Sequence, residues 1–167
     1  MRHEITITRT LDAPRDLVWK AFTEPEYYKR WFGPKDFTTP VARIDPTVGG
    51  EIFYCMRSPE GKDYCGKGVY REVVSPERIV VTDSFTDEEG NTVSASYYGM
   101  SADWPLELLV TITLEEEDGK TCLTLTHSGL EGVSDEDRKN MEQGWNESFD
   151  KLDAALLAWK AERARAA

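Results

Sequence analysis

The amino-acid sequence points to an α+β domain in which one long C-terminal helix covers the apolar face of an antiparallel sheet. Three observations carry this expectation: an apolar helical stripe within residues 134–163, six strand-and-turn signals in succession over residues 37–128, and a half-buried strand near the amino end. At 167 residues the chain fits one domain with a real hydrophobic core, and neither a linker nor an internal repeat divides it.

The first strand is expected over residues 4–11, where Ile5, Ile7, Arg9 and Leu11 alternate with Thr6, Thr8 and Thr10. Asp12-Ala13-Pro14 ends it. Pro14 suits the first turn of a short helix that carries Leu17, Val18, Ala21 and Phe22 on one face. Thr23-x-x-Glu26 then has the form of a capping box, with Pro25 tolerated in the first turn. Tyr27, Tyr28, Trp31 and Phe32 load this second short helix with aromatics before Gly33-Pro34 stops it.

Strands follow at 37–44, 51–57, 64–74, 78–85, 106–116 and 121–128. Turn chemistry separates them, at Gly49-Gly50, Pro59-Glu60-Gly61, Ser75-Pro76, Glu89-Gly90-Asn91 and Asp118-Gly119. The strongest hairpin sets Leu106, Leu108, Val110, Ile112 and Leu114 against Leu123 and Leu125. With the amino-terminal strand added, seven mainly antiparallel strands present one large apolar face. Residues 91–105 break the pattern, gathering Tyr97, Tyr98, Met100 and Trp104 without periodicity. They read as a surface loop laid on the sheet or as a gate over a pocket.

In the last helix Met141, Trp145, Phe149, Leu152, Leu156 and Trp159 fall within an arc of roughly 80°, at about 100° per residue. Ser134 as N-cap and the acidic run Asp135-Glu136-Asp137 mark its start, and Lys160, Arg163 and Arg165 complement the other end of its dipole. Gly144 costs roughly 1 kcal/mol relative to alanine in a helix interior, so it should serve close approach or cavity volume.

Composition narrows the function. Acidic residues outnumber basic ones 31 to 20, a net charge of −11, which disfavours nucleic acid and anionic membrane as partners. The first ten residues lack the apolar core of a signal peptide, and no run of about 18 apolar residues occurs, so a cytoplasmic protein is expected. Cys55, Cys65 and Cys122 are odd in number and form no C-x-x-C pair, so they are expected as reduced thiols. With two histidines, and no nucleotide or zinc motif, neither a metal nor a cofactor is expected.

Three stretches carry a family resemblance. The first is Leu11-Asp12-Ala13-Pro14 with Val18-Trp19-Lys20-Ala21-Phe22-Thr23-Glu24-Pro25 and Trp31-Phe32-Gly33-Pro34. The second is Gly49-Gly50, Gly66-Lys67-Gly68-Val69-Tyr70-Arg71-Glu72-Val73 and Pro76-Glu77-Arg78-Ile79. The third runs from Thr121 to His127-Ser128-Gly129-Leu130, with Gly144-Trp145 and Leu152 in the last helix. Together they resemble the START-like, or SRPBCC, superfamily, and within it the family related to the C-terminal domain of the activator of heat-shock protein 90 ATPase.

The resemblance implies a helix-grip fold, a curved seven-stranded sheet wrapped on the long helix, with a cavity between them that in relatives binds lipids, polyketides or other apolar molecules. Large apolar side chains able to line it come from the strands, Phe53, Tyr70, Phe85, Leu108 and Val110, and from the helices, Trp31, Met141 and Trp145, with Tyr98 and Trp104 at the mouth. Charges in phase with apolar residues are the candidate polar anchors: Arg9, Glu72, Asp83 and His127. Binding of a small hydrophobic or aromatic ligand is the leading expectation. Two alternatives stand beside it: a stress-response protein in contact with a chaperone ATPase, and a polyketide cyclase- or dehydratase-like enzyme in which the Asp83 and His127 pair carries out proton transfer. Superfamily habit implies a homodimer.

Overall fold

The computed structural model describes residues 3–166. In chain order the elements are β1 (Glu4–Leu11), α1 (Arg15–Thr23), α2 (Pro25–Tyr28), β2 (Thr38–Ile44), β3 (Glu51–Arg57), β4 (Asp63–Val74), β5 (Arg78–Thr86), β6 (Leu108–Glu117), β7 (Lys120–Ser128) and α3 (Asp135–Ala166), with a 3-10 turn at Ala95–Tyr98. All neighbouring strands are antiparallel, in the order β1-β7-β6-β5-β4-β3-β2. The first two strands therefore lie at opposite edges, and α1 and α2 carry the chain between them. The seven-stranded sheet curves round α3, which makes this a helix-grip α+β fold.

The apolar stripe of α3 divides into two halves. Phe149, Leu152, Leu156 and Trp159 are buried against the core, whereas Met141 and Trp145, nearer the start, are only partly covered. Ser134 caps the helix as expected, its Oγ accepting from the Asp137 N–H at 3.1 Å. Lys151 ties α3 to the turn after α2, its Nζ donating to the carbonyls of Pro34 and Phe37, both at 3.1 Å.

Local chemistry departs from expectation in several places. Pro14 sits at the N-cap of α1 with extended backbone, outside the first turn. Thr23 does not cap α2: its Oγ1 donates back to the Trp19 carbonyl, and Glu24 takes the cap position. Because α2 is a single turn, Trp31 and Phe32 follow it instead of belonging to it. Strand β6 starts at Leu108, leaving Leu106 58% exposed before it.

The register of β4 against β5 slips between Tyr70 and Glu72, with Arg71 the extra residue. One bulged residue moves every later side chain to the opposite face. Tyr70 and Val73 accordingly pack on the core, while Val74 is exposed.

The reduced-thiol expectation is overturned for two of the three cysteines. Cys55 and Cys65 stand directly opposite each other on β3 and β4, their Cα atoms 4.0 Å apart, and are joined in a disulfide; Cys122 is free. Counting and spacing along the chain carry no information about such a cross-strand pair, which only the register creates. With Phe53 and Val41 the two cysteines form a small second apolar cluster. Reduction is expected to cost about 2–3 kcal/mol of stability, the chain entropy of so short a closed loop. A fall in the urea midpoint with reductant checks it, together with alkylation of one thiol in the untreated protein and three after reduction. Among the described residues no helix is long and apolar enough to cross a membrane.

Candidate functional site

The uncovered half of the α3 stripe faces a cavity of about 390 Å³. Its floor is the inner face of the sheet and its roof is α3 from Asp137 to Ser148. Residues 32–37 close one side, and residues 100–106, from the irregular segment, close another. Aromatic and thioether side chains dominate the wall: Phe32, Tyr54, Tyr64, Phe85, Trp104 and Trp145, with Met56, Met100 and Met141. A smaller cavity of about 60 Å³ lies deeper, between Trp31, Tyr70 and Val110, and shares Asp83 with the larger one.

Four polar side chains converge on the inner wall. Asp83 projects from β5 and His127 from β7, reaching toward each other across β6, with Nε2 3.1 Å from Oδ2. The contact is close but not aligned as a hydrogen bond, and His127 Nε2 is a buried polar atom without a hydrogen-bond partner. The other ring nitrogen, Nδ1, accepts from Trp145 Nε1–H at 3.1 Å. An accepting Nδ1 leaves Nε2 as the ring nitrogen that faces Asp83. The Tyr54 hydroxyl donates to Asp83 Oδ1 at 3.2 Å. Burial, and after it the neighbouring Asp83 charge, push the Tyr54 phenol well above its ordinary range, so it remains a donor.

Two glycines make room for this arrangement. A Cβ on Gly66 would lie 2.5 Å from the Tyr54 hydroxyl oxygen, so glycine is what lets that side chain extend to Asp83. Gly144 lines the cavity, where a Cβ would meet only Pro34 Cγ, at 3.6 Å, in accord with the expectation that it supplies volume.

Of the side chains expected to line a cavity, Phe85, Trp104, Leu108, Met141 and Trp145 line the large one, as do the anchors Asp83 and His127. Trp31, Tyr70 and Val110 border only the small one; Trp31 is fully buried, its Nε1 donating to the Ala21 carbonyl at 2.9 Å. Phe53 faces the other side of the sheet, beneath the Arg43 guanidinium, 4.6 Å from its ring centre. Tyr98 is not at the mouth. It is buried against Phe85, with its hydroxyl accepting from the Cys65 N–H and donating to the Thr86 carbonyl, and so pins the irregular segment to the sheet.

Arg9 faces α3 and binds the Asn146 carbonyl and the carboxylates of Asp150 and Asp153, and it does not line the cavity. Glu72, shifted by the bulge, pairs with Arg78 at the surface. Tyr54, Met56, Tyr64 and Phe32 were not anticipated. Ile52-Phe53-Tyr54-Cys55-Met56 is apolar throughout and offers no alternation to tell its faces apart, though Tyr54 could have been found by assigning Ile52 and Met56 inward. Among the described residues no group of three or more His, Cys, Asp or Glu side chains is placed to hold a metal ion.

A helix-grip sheet with a cavity under its last helix defines a START-like protein. The chain belongs to the Activator of Hsp90 ATPase homolog 1-like protein family, whose model matches residues 12–157. Its fold is shared with solved structures. A protein from Nitrosomonas europaea is 26% identical with a TM-score of 0.77, over 95% of this chain and 96% of that one. One from Chromobacterium violaceum is 28% identical with a TM-score of 0.75, over 93% and 98%. A protein from Arthrobacter aurescens, at 24% identity and a TM-score of 0.78 over 93% and 87%, is alike in fold. No curated protein matches the sequence.

Proposed function

We propose that this protein binds a small apolar or aromatic molecule between the sheet and α3. The observation that carries this reading is the aromatic-lined cavity of about 390 Å³ with a single convergent polar cluster on its wall. Small-molecule sites occupy about 300–1,000 Å³ and combine apolar walls with a few fixed polar groups. Binding is favoured over turnover by the state of His127. Trp145 occupies Nδ1 and Asp83 shields Nε2, an imidazole held in place, whereas proton transfer needs a ring nitrogen open to the substrate.

The test pairs a probe with a plugged cavity. Titration with 2-methylnaphthalene is expected to raise the melting temperature, because a ligand that binds only the folded state stabilises it. Gly144→Leu, which directs a side chain into the cavity, is expected to stay folded and to lose at least about tenfold in affinity. Absence of any shift, or equal affinity in the Leu variant, would overturn the assignment. Native mass spectrometry of protein from its own host would then identify a retained occupant.

A further inference from the structure

We propose that the occupant for which this cavity is shaped carries a positive charge: an apolar or aromatic amine whose ammonium group rests on Asp83. The proposal depends on the cavity being a ligand site, and it names the chemistry of the ligand.

Among the described lining residues of the large cavity the charged side chains are Asp83 and Asp137, and neither lysine nor arginine is present. Lys67 borders the smaller cavity, but it is paired with Phe53, whose side chain lies on the opposite face of the sheet. Among the described residues no lysine or arginine therefore balances Asp83 from the cavity side.

Its immediate neighbours do not balance it either. Tyr54 is a neutral donor, and His127 is engaged through Nδ1 as the acceptor of the Trp145 N–H. The Tyr54 hydroxyl turns its hydrogen toward Asp83, which marks the side chain as an acceptor. An ionised carboxylate has about four lone-pair sites, and among the described residues Tyr54 makes its one aligned side-chain bond, so acceptor capacity remains. The Asp83 side chain is 26% exposed while lining the cavity, so a ligand can reach it.

The surroundings suit a cation. Trp145, Tyr54, Phe32 and Phe85 line the same cavity as the carboxylate, and aromatic faces attract an ammonium through their quadrupoles. At the rim, Asp137 is fixed by the Trp104 indole N–H at 3.1 Å and adds a second negative charge on the way in. The net charge of −11 draws cations and repels anions over the whole surface. A fatty acid or aromatic acid would meet the opposite field: its carboxylate would face Asp83 with no cation to receive it.

Three probes with one ring system isolate the charge: 2-naphthylmethylamine, 2-methylnaphthalene and 2-naphthoate, titrated calorimetrically into the full chain at neutral pH. The amine is expected to bind at least about tenfold tighter than the hydrocarbon, and the acid more weakly than either. Asp83→Asn is expected to erase the ratio between amine and hydrocarbon. An acid that binds as well as the hydrocarbon, an amine with no advantage, or an advantage that survives in Asp83→Asn would overturn the proposal. If the variant does not fold, the ranking of the three probes on the wild-type protein decides alone. Hydrocarbon binding without an amine preference defeats only the charge assignment, whereas failure of all three defeats the cavity reading and this one with it.

Discussion

Trp31→Ala is expected to remove about 3–5 kcal/mol of folding stability, the range for truncating a fully buried large aromatic. The indole is 0% exposed and sits where three elements meet. Its ring centre lies 4.9 Å from Phe22 of α1, 5.5 Å from Tyr28 of α2 and 6.2 Å from Phe149 of α3. Its N–H satisfies the carbonyl of Ala21 near the end of α1, so truncation leaves both a cavity and an orphaned acceptor. Against a total stability of about 5–15 kcal/mol for an ordinary domain, such a loss brings the protein near its unfolding threshold at physiological temperature. Urea denaturation followed by circular dichroism measures it, and a loss below about 1 kcal/mol would show that the indole is not the packing centre described here. The same residue was a candidate for the ligand wall. Trp31→Phe, which keeps most of the ring volume, separates the roles: it should lower stability while leaving the affinity of the large cavity for 2-methylnaphthalene intact, because Trp31 does not line it.

That Trp31 is a core residue was not legible in the sequence, and the reason extends to other positions. Hydrophobic period reports which face a side chain takes, not how deep it lies. The stripe of α3 and the alternation of β6 with β7 were clear enough to fix the covering helix and the strongest hairpin, because one side of each element is polar. Asp83 and His127 were found by the same logic, as polar residues in phase with apolar ones, and they do converge. Arg9 and Glu72 passed the identical test and do not reach the cavity. Arg9 lies in an edge strand whose partner surface is α3, and Glu72 lies beyond a bulge that the sequence does not announce. Phe53 was misplaced by one residue within a strand apolar on both faces, which also hid Tyr54. The disulfide was hidden because it depends on register alone.

Gly68→Ala is expected to cost about 3 kcal/mol or more, at the upper end of what overpacking a tight contact produces. A Cβ at position 68 would lie 2.0 Å from the Thr82 carbonyl oxygen and 2.8 Å from Val81 Cγ2. The obstacle is backbone, and β5 cannot retreat from it, since β6 is paired to its other side. The close approach has a local cause. Between the pairs Lys67↔Ser84 and Tyr70↔Val81, which keep one register, the Val69 N–H bonds the Thr82 hydroxyl at 2.8 Å. Glycine at 68 lets the two strands lie this close, just ahead of the bulge at Arg71. Thr82 immediately precedes Asp83, so displacing it shifts the carboxylate relative to Tyr54 and His127. The alanine variant should therefore lose stability and also any preference for the amine probe over the hydrocarbon. Gly66→Ala is the graded control: its nearest obstacle is the tip of the Tyr54 side chain, which can swing aside, so it should disturb the amine preference more than the fold. Equal urea midpoints for Gly68→Ala and the wild type would mean that β4 and β5 do not approach as closely in solution as this contact requires, and that Asp83 is held by something other than the strand beside it.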